Sequence, residues 1–110
     1  MPNTGIKLEL GDKMIKSFGN KTAQDLAAGK IGTRYARLLP RQHCQRAMDL
    51  LEFMDGSVNV ADFKMPPSNR LHKLDADLKG YWSVAIRDGW RIIFKFENGN
   101  YWDVKILDYH

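Results

Sequence analysis

The chain ends with the residues KILDYH, which bring an acid, a phenol and an imidazole together in Asp108, Tyr109 and His110. Two further candidates lie upstream, Arg91 in WRIIFKF and His72 in LHKL. Histidine titrates near neutrality and can act as general base or acid, while arginine binds phosphate through two parallel hydrogen bonds. Tyrosine can stack on a base. Together these side chains could supply metal-free cleavage of an RNA phosphodiester, which needs a base for the 2′-hydroxyl, an acid for the 5′-oxygen and a cation for the phosphorane.

The composition is that of an ordinary soluble domain. The chain has 110 residues, of which 44% are hydrophobic and 27% charged, enough for one core. No apolar run approaches the roughly 18 residues that a membrane span needs, and the first thirteen residues lack the apolar stretch of a signal peptide. The single Cys44 can form neither an internal disulfide nor a thiolate metal cage. We therefore expect a cytoplasmic protein without a metal or other cofactor, with Cys44 in its core.

Positive charge is concentrated in the first half of a chain whose net charge is +4. Residues 14–49 contain seven basic side chains and two acidic ones. Such a distribution suits a polyanion such as RNA, DNA or the ribosome, although it also suits an acidic protein partner or a solvated helix face. The candidates for RNA or ribosome binding in this region are Lys30, Arg34, Arg37, Arg41 and Arg46.

Two helices are expected to precede the sheet. MIKSF at 14–18 is typical of a short strand, and residues 1–13 form an extension of uncertain order before a single domain over 14–110. An apolar helical period runs from Asn20 to Leu38, weakened by two glycines. A second helix is predicted from Pro40 to Gly56 with one buried stripe. In that helix His43 is predicted to lie at the surface.

The second half of the chain changes to the pattern of strands. Apolar runs at 81–87, 90–96 and 101–107 are separated by Asp-Gly and Asn-Gly, the dipeptides that type I′ hairpin turns favour. A short strand is predicted at 71–74. The order β-α-α-β-β-β-β predicts an α+β fold in which two N-terminal helices pack on a small antiparallel sheet.

Two-residue turns also fix which residues face each other. Arg87 should oppose Trp90, and Glu97 should oppose Asn100. Regular alternation from these pairs predicts that Arg91 shares one face with Asp108 and His110. That corner could be catalytic, but the residues alone leave open a surface ion pair and a frayed terminus.

Residues 14–110 resemble the HigB toxins of bacterial type II toxin–antitoxin systems, within the RelE/ParE superfamily. The resemblance implies a RelE-like fold and a ribosome-dependent mRNA endonuclease, or mRNA interferase, that needs no metal. It also implies a HigA-like helix-turn-helix antitoxin, with operator DNA bound only through the toxin–antitoxin complex. The matching stretches are MIKSF at 14–18, RLHKL at 70–74, GYWSV at 80–84, WRIIFKF at 90–96, NG at 98–99 and the terminal DYH. Carried over onto this chain, the family's active-site residues are His72, Arg91, Asp108, Tyr109 and His110.

One loop departs from the family's pattern. Where the family commonly reads LHPLKGDR-GYW, this chain reads LHKLDADLKGYW, so that Asp75 and Leu78 replace a lysine and an arginine. Lys73 and Lys79 could restore part of the charge that phosphate binding needs. Two other functions stay open at this point. One is a ParE-like toxin that binds DNA gyrase without nuclease chemistry, and the other is an attenuated toxin that acts mainly as an antitoxin-binding co-repressor.

Overall fold

Three long strands form most of the sheet. The computed structural model describes residues 13–57 and 59–108, and in it β2 covers Trp82–Arg87, β3 covers Trp90–Glu97 and β4 covers Asn100–Asp108. All neighbouring strands are antiparallel. The predicted meander is confirmed.

The two turns between these strands have the backbone that their sequences predict. Asp88 and Gly89 have φ of 54° and 89°, and Asn98 and Gly99 have φ of 54° and 78°. Two consecutive residues with positive φ are what a type I′ turn requires. The predicted pairs Arg87–Trp90 and Glu97–Asn100 are both formed.

Short segments extend the sheet on both sides. The strand β1, His72–Lys73, pairs with β2 and gives the sheet order β1-β2-β3-β4. On the far edge, Ile15 and Phe18 form isolated parallel bridges to β4. The continuous strand predicted at 14–18 is therefore wrong, although the segment does run beside β4. Asp103, which has a positive φ of 55°, lies in β4 between the two bridged positions, where the pairing of β3 with β4 shifts register.

The helices differ in how well their lengths were predicted. Helix α1, Lys21–Ala27, starts where the Asn20 side chain accepts a hydrogen bond from the amide of Ala23. It ends well before Leu38, because the chain adopts a left-handed conformation at Gly29. Helix α2, Arg41–Gly56, matches its prediction. Among the described residues no helix is both long enough and apolar enough to cross a membrane.

The core lies between the helices and one face of the sheet. Cys44 is buried there as predicted, and burial raises the pKa of its thiol. The sheet contributes Val84, Ile86, Ile92, Phe94, Tyr101, Val104 and Ile106, and the helices and the segments that follow them contribute Ala23, Leu26, Ala36, Leu39, Cys44, Ala47, Leu50, Leu51, Met54 and Phe63.

A bulge in β2 changes which face each residue of β3 occupies. Ala85 pairs with Arg91 while Arg87 pairs with Trp90, so Ile86 is the extra residue. Regular alternation from the predicted pair Arg87–Trp90 puts Ile92 and Val84 on opposite faces of the sheet. This prediction is wrong, because the bulge makes the two residues direct partners.

The prediction that Arg91 and Asp108 share a face is also wrong. Arg91 pairs with Leu107, whereas Asp108 pairs with Trp90. Because directly opposed residues lie on the same face, Arg91 faces away from the helices, and Asp108 lies on the face of Trp90. Both residues still lie at the same corner of the sheet.

Arg46 connects helix α2 to the bulge. Its Nε donates to the carbonyl of Ile86 at 2.7 Å, and its Nη2 donates to the carbonyl of Ala85 at 3.1 Å and to Oδ1 of Asn69 at 3.0 Å. Asn69 is buried and donates to the carbonyls of Phe63 and Met65. The guanidinium predicted to bind RNA is therefore largely occupied within the fold.

His43 makes a second link from α2 to the meander. It is 5% exposed, and its Nε2 lies 3.1 Å from Oδ2 of Asp88 in the β2–β3 turn. The prediction of a surface histidine is wrong, because the turn reaches back over the helix and covers the ring.

We expect the substitution Arg46→Met to lower the free energy of unfolding by about 2–4 kcal/mol, since it leaves two strand carbonyls and the Asn69 amide oxygen without their charged donor. Urea denaturation would measure this loss. The control is Arg37→Met, which removes an exposed guanidinium. Equal, small losses for the two variants would contradict a structural role for Arg46.

Candidate active site

The face of the sheet that points away from the helices has a polar centre. Ser83 is fully buried at this centre and pairs directly with His72 of β1. From the other side, Nη1 of Arg91 donates to the Ser83 hydroxyl at 3.0 Å. Two of the five predicted catalytic residues, His72 and Arg91, therefore lie on one face and are linked by Ser83.

The orientation of His72 leaves one ring nitrogen available for chemistry. His72 is exposed, and its Nδ1 lies 2.9 Å from the carbonyl oxygen of Arg70. Because a carbonyl can only accept a hydrogen bond, Nδ1 carries a proton. In the neutral ring, Nε2 then carries the lone pair and can act as a base; in the protonated ring it can act as an acid.

Ser83 was missed from the sequence. Its only signal there is a hydroxyl inside the otherwise apolar run YWSVAIR. Alternation alone does not relate it to Arg91, because the bulge at Ile86 decides which residues of β2 and β3 share a face.

A second polar group lies around Tyr81. The Tyr81 hydroxyl donates to Oδ2 of Asp103, and Lys105 is 3.8 Å from the same carboxylate oxygen. The Nζ atoms of Lys95 and Lys105 lie 5.1 and 5.4 Å from the centre of the Tyr81 ring. The hydrogen bond to Asp103, with smaller effects of burial and charge, raises the pKa of Tyr81 to about 12. Tyrosine at this position stays protonated at any physiological pH.

A cavity of about 420 Å³ opens beside the bulge. Its wall includes Arg46, Arg70, Arg87 and Arg91, together with Asp88 of the β2–β3 turn. Neither Arg70 nor Arg87 was singled out from the sequence, because nothing in their spacing connects a loop residue with the end of a strand.

The predicted basic surface is divided between two parts of the molecule. Lys30, Arg34, Arg37 and Arg41 are exposed in and around the helical layer, which covers the other face of the sheet. The structure does not bring these four residues together with His72 and Arg91.

The loop after β1 forms a short 3₁₀ turn, Ala76–Leu78, that begins after Asp75. Lys73 and Lys79 flank it and are exposed. The Nζ of Lys73 lies 5.1 Å from the ring centre of Trp82. Both lysines are thus near the end of the sheet that holds His72.

The terminal candidates follow the last described strand. Asp108 ends β4 and is exposed, while Tyr109 and His110 lie outside the described residues. Within residues 13–57 and 59–108, no group of three or more His, Cys, Asp or Glu side chains is arranged to hold a metal ion.

The fold is similar to that of a solved structure. It is similar to the crystal structure of YafQ from E. coli, with a TM-score of 0.50, 18% identity, and coverage of 86% of this chain and 90% of that one. The model of the HigB-like toxin family matches residues 32–110, and this family is described as the RelE-like toxin of the type II toxin–antitoxin system HigB. The chain belongs to this family.

Two curated relatives agree with this assignment. Endoribonuclease HigB of Proteus vulgaris is 33% identical over 97 residues, which are 88% of this chain and 100% of the relative. Toxin HigB-1 of Vibrio cholerae is 32% identical over 94 residues, 86% of this chain and 87% of the relative. Membership of a type II toxin–antitoxin family implies an antitoxin as partner.

The substitution Asp103→Asn is expected to lower the pKa of Tyr81 from about 12 towards the ordinary tyrosine value, because the charged hydrogen-bond acceptor is lost. The stability that the raised pKa contributes is complete below about pH 10 and is lost between about pH 10 and 12. NMR titration of the Tyr81 ring would measure the shift. An unchanged pKa in the variant would show that Asp103 is not its cause.

Proposed function

We propose that this protein is the toxin of a type II toxin–antitoxin pair and acts as a ribosome-dependent mRNA endonuclease without a catalytic metal. Family membership and the name of the Proteus vulgaris relative support nuclease activity. The observation in this structure that carries the proposal is the group formed by His72, Ser83 and Arg91 on the open face of the sheet.

The reaction needs two proton transfers. A base removes the proton from a ribose 2′-hydroxyl, whose oxygen attacks the adjacent phosphorus. The bond to the 5′-oxygen breaks, and an acid protonates that oxygen, leaving a 2′,3′-cyclic phosphate and a 5′-hydroxyl. His72 is exposed, and its Nε2 is suited to one of these transfers; His110 is proposed for the other.

Arg91 supplies the fixed positive charge. Its Nη1 is held by the Ser83 hydroxyl, which leaves the rest of the guanidinium to bind the phosphorane oxygens. A cation that is already oriented loses little freedom when charge develops in the transition state. Ser83 is thus proposed as a positioning residue for Arg91.

The remaining candidates define a path for the RNA. β1 and β4 are separated by three strand spacings, about 14 Å, so an RNA strand that contacts both His72 and Asp108 must cross β2 and β3. Asp108 is proposed to orient the terminal histidine or to act as base, and Tyr109 to stack on a nucleotide.

The proposed partners account for the remaining basic residues. Lys73 and Lys79 would contact the mRNA near His72. The exposed helical group of Lys30, Arg34, Arg37 and Arg41, without the occupied Arg46, would contact ribosomal RNA or a HigA-like helix-turn-helix antitoxin in the cytoplasm. Operator DNA would be bound only through the complex with that antitoxin.

Cleavage of mRNA on programmed ribosomes tests the proposal. We expect the wild-type protein to cut and both His72→Ala and deletion of His110 to slow cutting by about 10²-fold or more, the usual contribution of a general acid or base. The matched control is Lys21→Gln, which changes an exposed residue at the start of α1. No cutting by the wild type, or undiminished cutting by a protein that carries both changes, would overturn the assignment.

A further inference from the structure

We infer that the cavity beside the β2 bulge is a second binding site for an RNA backbone phosphate, next to the one that is cleaved. This inference rests on the proposed nuclease function and adds a subsite to it. Arg70 and Arg87 are the residues that would bind this phosphate, and neither belongs to the catalytic group described above.

The cavity exists because β1 is short. Its two residues pair only with Trp82 and Ser83, so the rest of that edge of β2 has no strand beside it. The loop before β1 passes there instead, and Arg70 adopts a left-handed conformation with φ of 49°. A loop arginine and the arginine at the end of β2 thereby reach the same cavity.

The positive charge in this cavity is only partly compensated within the protein. The guanidinium of Arg46 donates to the carbonyls of the bulge and to Asn69. By contrast, no described residue forms a hydrogen bond or ion pair with the guanidinium of Arg70 or Arg87. Asp88, the one carboxylate among the described residues of the wall, is bound to His43. Two guanidinium groups with free donors are well suited to a phosphodiester, which each can bind through two hydrogen bonds.

Arg91 connects the cavity with the catalytic group. It lines the cavity and also contacts Ser83. An RNA strand whose scissile phosphate is bound by Arg91 would therefore bring a neighbouring phosphate to Arg70 and Arg87. This continuity favours the RNA over an acidic protein segment as the occupant.

The test measures binding of a single-stranded oligonucleotide with 2′-O-methyl riboses, which cannot be cut by 2′-hydroxyl attack. Kd is measured over a series of salt concentrations for the full chain, for Arg70→Gln and for Arg87→Gln. Each variant should weaken binding roughly fivefold or more and reduce the slope of log K against log salt by about 0.7. Lys21→Gln, which removes the same charge away from the cavity wall, is the control.

A parallel measurement uses ribosomes without mRNA and separates the two sources of the phosphate. Loss of oligonucleotide binding assigns the phosphate to mRNA, as inferred, while loss of ribosome binding alone assigns it to ribosomal RNA and overturns its placement next to the cleaved phosphate. Affinities and salt slopes equal to those of Lys21→Gln in both arms would overturn the inference altogether. Because neither arm requires cutting, a result that overturns phosphate binding in the cavity can be distinguished from one that overturns the nuclease assignment.

Discussion

The hydrogen bonds of Arg46 hold together the parts of the molecule on which the site depends. One guanidinium joins helix α2, the bulged edge of β2 and the loop that leads to β1. Two of its acceptors, the carbonyls of Ala85 and Ile86, belong to the bulge itself. Hydrogen bonds from a charged donor to partly buried carbonyls are strong, and leaving those carbonyls without a partner is costly. The bulge then decides that Arg91 opposes Ala85 and shares a face with Ser83 and His72.

The two faces of the sheet differ in polarity. The helical side is apolar and includes Val84, Ile92 and Ile106 in one continuous core. The open side carries a buried hydroxyl, Ser83, with an imidazole and a guanidinium beside it. Polar side chains can be held rigidly there, since they do not have to compete with core packing. The arginine-lined cavity lies at the edge of β2, just before β1 begins, where β2 has no strand on that side.

Local signals in the sequence predicted the architecture well, and long-range contacts explain where they failed. The Asp-Gly and Asn-Gly turns and the second helix depend on neighbouring residues, and these predictions are confirmed. The pairing of Arg91 with Ala85 depends on a bulge held by Arg46, some forty residues earlier. A second register shift, between β3 and β4, puts Asp108 on the opposite face, so regular alternation gave Arg91 the wrong neighbours. The burial of His43 depends on Asp88 in the same way. His72 and Arg91 were predicted from the motif, whereas the placement of Ser83, Arg70 and Arg87 near them is visible only in the folded chain.

Ser83 and Arg91 are proposed to act as one unit on the open face. A double-mutant cycle with Ser83→Ala and Arg91→Gln, measured as the single-turnover rate of mRNA cleavage on programmed ribosomes, tests it most directly. If Ser83 acts by positioning Arg91, the double variant should be no slower than Arg91→Gln alone, because residues that work as a unit are not additive. Rate losses that simply multiply would contradict the claim and would show that the two side chains act independently.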